Sequence, residues 1–173
     1  MARSNWIDAA LRVVALVWTL IITALIGNVI ASNINGSGGA TMTLNFTMFV
    51  AAWSWVTGIY GLGAAFVGAL AQPLILIPLD VIAVLFTFID AVVLSAKLKA
   101  VDCSNTAGQP RKWIGFGSNS TEKRCREIQA SLVFMWFLWA TFCGCLTFTI
   151  LRWREGSSRG FRGVRPSMSQ VRA

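Results

Sequence analysis

Hydrophobic residues in this chain are gathered into four long runs, which are separated by short polar segments. Each run is about long enough to cross the ~30 Å hydrocarbon core of a bilayer as an α-helix. The pattern predicts an all-α membrane protein that folds as a bundle of four transmembrane helices. The predicted spans cover approximately residues 13–31, 43–69, 74–98 and 128–151.

The third run, from Leu74 to Leu98, carries two acidic residues, Asp80 and Asp90. A charge at the bilayer centre costs at least ~2.5 kcal/mol on insertion scales, so both carboxyl groups should face protein, water or the interface. We therefore expect this run to be an inner helix of the bundle. For Asp80 we favour a structural role, either capping backbone donors or binding a polar group on a neighbouring helix.

Asp90 lies deeper in the same run, and its environment is open to three interpretations. The carboxyl group is protonated, or it is hydrogen-bonded to a Ser, Thr or Asn on a neighbouring helix, or it faces a polar cavity. If Asp90 faces a polar cavity, the functional interpretation is a site that binds a proton or a cation. Transport normally needs several polar groups along a path, and the other runs offer few, so we favour a structural role.

Small residues recur along the second run at alternating spacings of three and four. This spacing places them on one face of a helix, where another helix can approach closely. Nothing in lipid drives helices together by hydrophobicity, so the stripe is a packing surface, either within the bundle, which we favour, or between copies. The stripe consists of Ala51, Ser54, Gly58, Gly61, Ala65 and Gly68.

Composition excludes most classes of soluble protein and of enzyme. The 173-residue chain is 55% hydrophobic and only 13% charged, against roughly 25% charge in an average soluble domain. Its mean hydropathy is +0.64, and residues 1–151 are expected to form a single membrane domain. There is no histidine, which removes the usual general base and zinc ligand. With no metal-ligand cluster and no phosphate-cradling loop in the sequence, we expect no enzyme activity, cofactor or metal.

The net charge of +8 lies mainly in loops and termini beside lipid. Anionic phospholipids are therefore the expected partner, rather than nucleic acid. Residues 152–173 are rich in Arg, Gly and Ser and too poor in apolar residues to fold alone, so we predict a basic, flexible tail; a merely solvated tail is the alternative. The arginines expected to contact anionic lipid are Arg152, Arg154, Arg159, Arg162 and Arg165.

The four cysteines predict one disulfide bond and the orientation of the chain. Cys143 and Cys145 lie two residues apart inside the fourth run and point away from each other, so they cannot bridge. Cys103 and Cys125 remain as the natural pair, and their bond would close a loop of about 22 residues. Paired cysteines and glycosylation sequons belong on the oxidising side, so we expect both termini to be cytoplasmic. Basic residues are almost evenly divided between the two sides and barely favour either orientation.

Several short strings carry a family resemblance. They are Leu79-Asp80 followed by Phe86-Thr87-Phe88, Asp102-Cys103-Ser104-Asn105, Arg124-Cys125-Arg126 with Gln129-Ala130, and Ser169-Gln170-Val171. The four-span layout resembles a MARVEL domain, and the order and spacing of these strings resemble the fungal non-classical export protein family over nearly the whole chain. Asp90 departs from this pattern, so no family role is assigned to it.

The resemblance implies a plasma-membrane protein of the furrow-like eisosome compartment, concerned with membrane organisation and with the response to sphingolipid, and a disulfide between Cys103 and Cys125. Together with the residues themselves, it predicts a non-enzymatic membrane organiser that self-associates as a homo-oligomer. The expected partners are anionic phospholipids, sphingolipid or sterol, and eisosome proteins. The alternative is a small transporter or channel that uses Asp90, with Asp80 as an inner relay.

Overall fold

The computed structural model describes residues 2–67, 70–99, 101–105, 108–110 and 112–162, with side chains described from Trp6 to Arg154 within these ranges. The described chain contains four α-helices and no strand, which confirms the predicted all-α fold. All four are long and apolar enough to cross a membrane. The helices are α1 (Ala2–Ala31), α2 (Gly38–Phe66), α3 (Pro73–Leu98) and α4 (Thr121–Arg162).

The first and last helices, α1 and α4, extend beyond the predicted spans. Helix α1 begins well before residue 13, and α4 continues to Arg162, so the predicted start of the tail at Arg152 lies inside a helix. Helix α2 ends at Phe66 because Val67 has an extended backbone with φ −108° and ψ 104°. The second span was predicted to continue to residue 69, and residues 68 and 69 lie outside the described ranges.

The four helices form a ring. Helix α1 packs against α2 and α4, and α3 packs against α4 and, less extensively, against α2. Helices α1 and α3 therefore lie diagonally opposite each other, so only long side chains can join them across the centre. Apolar side chains such as Ile22, Leu44 and Leu94 are fully buried between the helices, whereas many large apolar side chains, including Met42 and Leu74, are exposed on the outside. That outer surface suits contact with lipid.

The loops between α1 and α2 and between α3 and α4 meet at one end of the bundle, which we call the loop face. The backbone N–H groups of Ile34 and Asn35 both donate to the Gly117 carbonyl, at 2.7 and 3.2 Å. Gly117 has φ 118°, and a Cβ there would lie 2.6 Å from the Gly36 Cα, so this junction requires glycine. The opposite end, with the start of α1 and the end of α4, is the terminal face.

Candidate functional site

A buried ion pair joins α1 to α3 near the terminal face. The Arg12 guanidinium donates from Nη1 to Asp80 Oδ1 at 2.6 Å and from Nη2 to Asp80 Oδ2 at 2.7 Å. Both side chains are buried, at 1% and 0% exposure. Two parallel N–H to carboxylate bonds are among the strongest polar contacts in proteins. Because α1 and α3 are diagonal neighbours, this pair ties the bundle together through its centre.

Helix α4 completes the coordination of Asp80. The Thr149 hydroxyl lies 2.9 Å from Asp80 Oδ2 and 3.0 Å from the Cys145 carbonyl, so its one proton is directed to one or the other, and it accepts from Arg12 Nη2 at 3.4 Å. The carboxylate of Asp80 therefore accepts two bonds from Arg12 on α1 and contacts a hydroxyl group on α4. This agrees with the expectation that Asp80 binds polar groups on neighbouring helices, and it leaves neither carboxylate oxygen unpaired.

Asp8 extends the ion pair toward the terminal face. Its Oδ1 lies 3.7 Å from Arg12 Nε, and its Oδ2 lies 3.0 Å from Arg152 Nη2 on α4. Asp8 is 3% exposed. The two arginines, Arg12 and Arg152, balance the charge of the two aspartates, Asp8 and Asp80. We call Asp8, Arg12, Asp80, Thr149 and Arg152 the terminal network. A neutral set of this kind avoids the large penalty of an unpaired buried charge.

The small-residue stripe on α2 makes room for α1 and for this network. A Cβ at Gly61 would lie 2.5 Å from the Arg12 guanidinium, and one at Gly58 would lie 2.7 Å from Leu16 Cδ2. The stripe faces α1 within the same chain at these positions. Ala51, Ser54, Gly58 and Gly61 are buried and Ala65 is half-buried, while Gly68 lies outside the described residues.

Asp90 lies on α3 in a much poorer polar environment. It is fully buried, and its Oδ1 is 2.9 Å from the Thr47 hydroxyl on α2. In the described part of the chain, its Oδ2 has no hydrogen-bond partner. The Thr47 hydroxyl also lies 3.1 Å from the Thr43 carbonyl. A hydroxyl has one proton, so both contacts are satisfied if a protonated Asp90 donates to Thr47 and Thr47 donates to Thr43.

The predicted disulfide between Cys103 and Cys125 is confirmed. Their Cα atoms lie 5.7 Å apart, and the bond spans 22 residues. It fastens the loop after α3 to the first turns of α4. Cys143 and Cys145 remain free thiols on α4.

The predicted lipid-binding arginines have different environments. Arg152 belongs to the terminal network through Asp8, whereas the Arg154 side chain is exposed. Arg159 and Arg162 lie in the last turns of α4, where only the backbone is described, and Arg165 lies outside the described residues. The structure gives Arg152 an internal contact with Asp8, and contact of these arginines with anionic lipid stays a prediction.

Sequence reasoning identified Asp80 but missed the cation that neutralises it. Arg12 lies at the edge of the first apolar run, a position where an arginine usually reaches the lipid head groups. A usable signal existed, because Asp8 and Arg12 are four residues apart and so share one face of α1. Thr149 carried no signal, since it is one of several threonines in an apolar run.

Comparisons with known proteins agree with this architecture. Residues 5–148 match the family model of the membrane-associating domain called MARVEL. The chain is 32% identical over 136 residues to Non-classical export protein 2 of Saccharomyces cerevisiae, covering 78% of this chain and 75% of that protein. It is 30% identical over 176 residues to Non-classical export protein 2 homolog 1 of the same yeast, covering 95% and 97%. No solved structure gives a significant match.

Proposed function

Because this chain belongs to the MARVEL family of multi-pass membrane proteins, we propose that it is a non-enzymatic organiser of the plasma membrane, acting in an eisosome-type microdomain. One observation carries the proposal. The charged groups of Asp8, Arg12 and Asp80 form ion pairs with one another inside the bundle, where they hold the helices together. What the bundle presents outward is apolar helix surface toward lipid, together with basic residues at its terminal face.

The basic segment 152–173 is the part of the chain that we propose contacts anionic phospholipids, on the cytoplasmic side. Arg154 is exposed at the start of this segment, and Arg159 and Arg162 follow on the same helix. Each arginine held near an anionic surface contributes about 1 kcal/mol. Several arginines together give an attachment that is firm and yet reversible by salt.

The lipid contact is tested with the full-length protein in nanodiscs. Energy transfer from a fluorophore at Ala173 to an acceptor lipid is measured in anionic and in zwitterionic discs. We expect high transfer in anionic discs, and its loss at high salt or when Arg159, Arg162 and Arg165 are all changed to Ser. The matched control changes the same three residues to Lys, which keeps the charge. Equal transfer in the Ser and Lys variants would remove the electrostatic contact from the proposal.

We further propose that copies self-associate and that sphingolipid or sterol and eisosome proteins accompany them. The stripe packs against α1 at Gly58 and Gly61, so self-association would use surfaces other than this part of it. Mass measurement of the protein extracted in native-lipid nanodiscs tests this directly. A single chain per disc at all loadings would contradict self-association, and an absence of enriched sphingolipid and sterol would contradict the lipid preference.

A small transporter or channel is the second candidate. The observation that favours it is the unpartnered Oδ2 of Asp90, while Asp80 is held by Arg12 and is a poor relay. Vesicles reconstituted with the protein are assayed for flux of protons and small solutes. Flux that Asp90→Asn abolishes would support this candidate, and no flux in either form would dispose of it.

A further inference from the structure

A second buried arginine, Arg124, lies at the loop face in the first turn of α4 and is 1% exposed. Its Nε donates to the Ile114 carbonyl at 3.2 Å, and its Nη1 donates to Asn33 Oδ1 at 3.0 Å. Nη1 also lies 3.5 Å from the Val29 carbonyl. All three acceptors are neutral oxygens. Nη2 is buried and, among the described atoms, has no hydrogen-bond partner.

The comparison with Arg12 shows what Arg124 lacks. Arg12 is equally buried, but it faces two carboxylates, Asp8 and Asp80. None of the ion pairs between described residues includes Arg124. A buried guanidinium without a counterion carries an uncompensated desolvation penalty. Its environment is therefore incomplete in a way that an anion would complete.

Arg124 also lines a cavity of about 320 Å³ between the end of α1 and the start of α4. We call it the loop-face cavity. Its wall combines hydroxyl groups, an amide and a second cation. The wall also includes the start of α4, and the first backbone N–H groups of a helix have no acceptor within that helix. Polar lining residues are Ser32, Ser118, Asn119, Ser120 and Lys123.

One acidic residue, Glu127, shares the wall of this cavity. Its Oε1 accepts from Asn28 Nδ2 at 2.7 Å and lies 3.7 Å from Lys123 Nζ. Glu127 is therefore occupied by groups on the α1 and α4 surfaces and does not pair with Arg124. The two cations of the wall outnumber this single carboxylate.

We propose that the loop-face cavity binds a phosphate group, with Arg124 and Lys123 as its charged partners. A phosphate supplies several acceptor oxygens and negative charge, which match a guanidinium group, an ammonium group and the Ser120 hydroxyl. The Ser32 and Ser118 hydroxyls already donate to the Val29 and Ser120 carbonyls. The cavity lies at the end of the membrane-spanning helices. The phosphate is therefore either the phosphodiester of a lipid head group or free inorganic phosphate.

The test uses the full-length protein in a maltoside detergent, which contains no phosphate. One arm titrates inorganic phosphate and follows the thermal unfolding midpoint. The other arm counts retained lipid by native mass spectrometry, after exchange into phospholipid or into a phosphate-free glycolipid. The variants are Lys123→Gln, whose side chain is 67% exposed and so should fold normally, and Arg124→Gln. The matched control is Arg126→Gln, an exposed residue paired with Glu122 and outside this cavity.

We expect binding in one arm, weakened about tenfold by Lys123→Gln, abolished by Arg124→Gln and unchanged by Arg126→Gln. A midpoint raised by inorganic phosphate identifies free phosphate, and selective retention of phospholipid identifies a head group. No binding in either arm overturns the proposal, as does an equal loss in Lys123→Gln and Arg126→Gln. Retention that depends on Arg159, Arg162 and Arg165 but not on Lys123 also overturns it, and would instead assign the lipid to the terminal face.

Discussion

Two aspartates on the same helix, Asp80 and Asp90, are equally buried and yet have opposite surroundings. They lie ten residues apart on α3, which is about 15 Å along a helix. Asp80 accepts a two-pronged bond from Arg12 and contacts the Thr149 hydroxyl. Among the described residues, Asp90 has one side-chain hydrogen bond, with the Thr47 hydroxyl. A carboxylate can stay charged inside a bundle where a guanidinium meets it, whereas a carboxyl with one hydroxyl neighbour suits the neutral form.

The comparison also separates the two halves of the bundle. At the terminal face, charged groups from α1, α3 and α4 meet beside Gly61 of α2. Around Asp90, the contact is a single bond to α2, and the loop face beyond it is fastened by the Cys103–Cys125 disulfide. We therefore expect stability to depend steeply on the first aspartate and weakly on the second.

The largest effect is expected for Asp80→Asn, which removes the carboxylate that accepts both short bonds from the buried Arg12 guanidinium and leaves Asp8, 3.7 Å from Nε, as its remaining negative neighbour. Breaking a buried pair in this way lowers the free energy of unfolding by about 3–5 kcal/mol. Unfolding of the purified protein by SDS in mixed micelles measures the change. The double variant Arg12→Met with Asp80→Leu should recover most of the loss, because apolar residues of similar volume replace such pairs well. A double variant no more stable than Asp80→Asn would show that the pair is not the cause.

The next effect is expected for Gly61→Ala. The new Cβ would lie 2.5 Å from the Arg12 guanidinium, so Arg12 must shift, at a cost of about 1–3 kcal/mol. The matched control is Gly63→Ala on the same helix, where, apart from the local backbone of α2, no described atom lies within 4 Å of the added Cβ. The control should be neutral or slightly stabilising, because alanine favours helix. If both variants behave alike in SDS unfolding, Gly61 is not kept small by Arg12.

A smaller loss is expected for Thr149→Val, which keeps the shape but removes the hydroxyl group that contacts Asp80. Loss of one hydrogen bond to a charged group weakens folding by about 1.5–3 kcal/mol, and the two remaining Arg12 bonds hold the effect near the lower value. Thr147→Val is the control, since Thr147 is exposed and its one hydroxyl bond among the described residues is to the Cys143 carbonyl in its own helix. Equal unfolding midpoints for the two variants would contradict a role for Thr149 in the network.

The smallest effect is expected for Asp90→Asn, below about 1 kcal/mol, because an amide retains both a donor and an acceptor for Thr47. Infrared spectroscopy should show the C=O band of a protonated carboxyl group in the native protein, and this band should disappear in Asp90→Asn. If Asp90→Asn destabilises the protein as strongly as Asp80→Asn, the inferred difference between the two aspartates is contradicted. It is also contradicted if the band persists after the substitution.

Much of the architecture was predictable because lipid imposes a simple rule on sequence. Four apolar runs became four helices, and the acidic residues of the third run turned inward, as the penalty for charge in lipid requires. The Cys103–Cys125 bond was predictable because the other two cysteines lie inside one helix. Helix ends were less predictable, since α4 continues past the end of the apolar run at Leu151 to Arg162, through residues that are rich in Arg, Gly and Ser.

The site itself was only half predictable. Asp80 could be recognised from the sequence because it is a charged residue inside an apolar run. Its partner Arg12 lies 68 residues away at the edge of another run, where an arginine usually faces lipid head groups. Arg124 was equally hidden, because a basic residue beside a loop normally faces water. Sequence shows which side chains need a partner, and it does not show which helices are diagonal neighbours.

By itself, the sequence determined that this protein is a four-helix membrane bundle with two acidic residues inside it and a disulfide at one end. Hydrophobic length and the cost of buried charge decide this, because both act locally along the chain. Only the tertiary structure decided that Arg12 reaches across the centre to Asp80, that Gly61 lies against the Arg12 guanidinium, and that no described cation pairs with Asp90. Those outcomes depend on helix register and on contacts between distant residues, which are set by packing of the whole bundle.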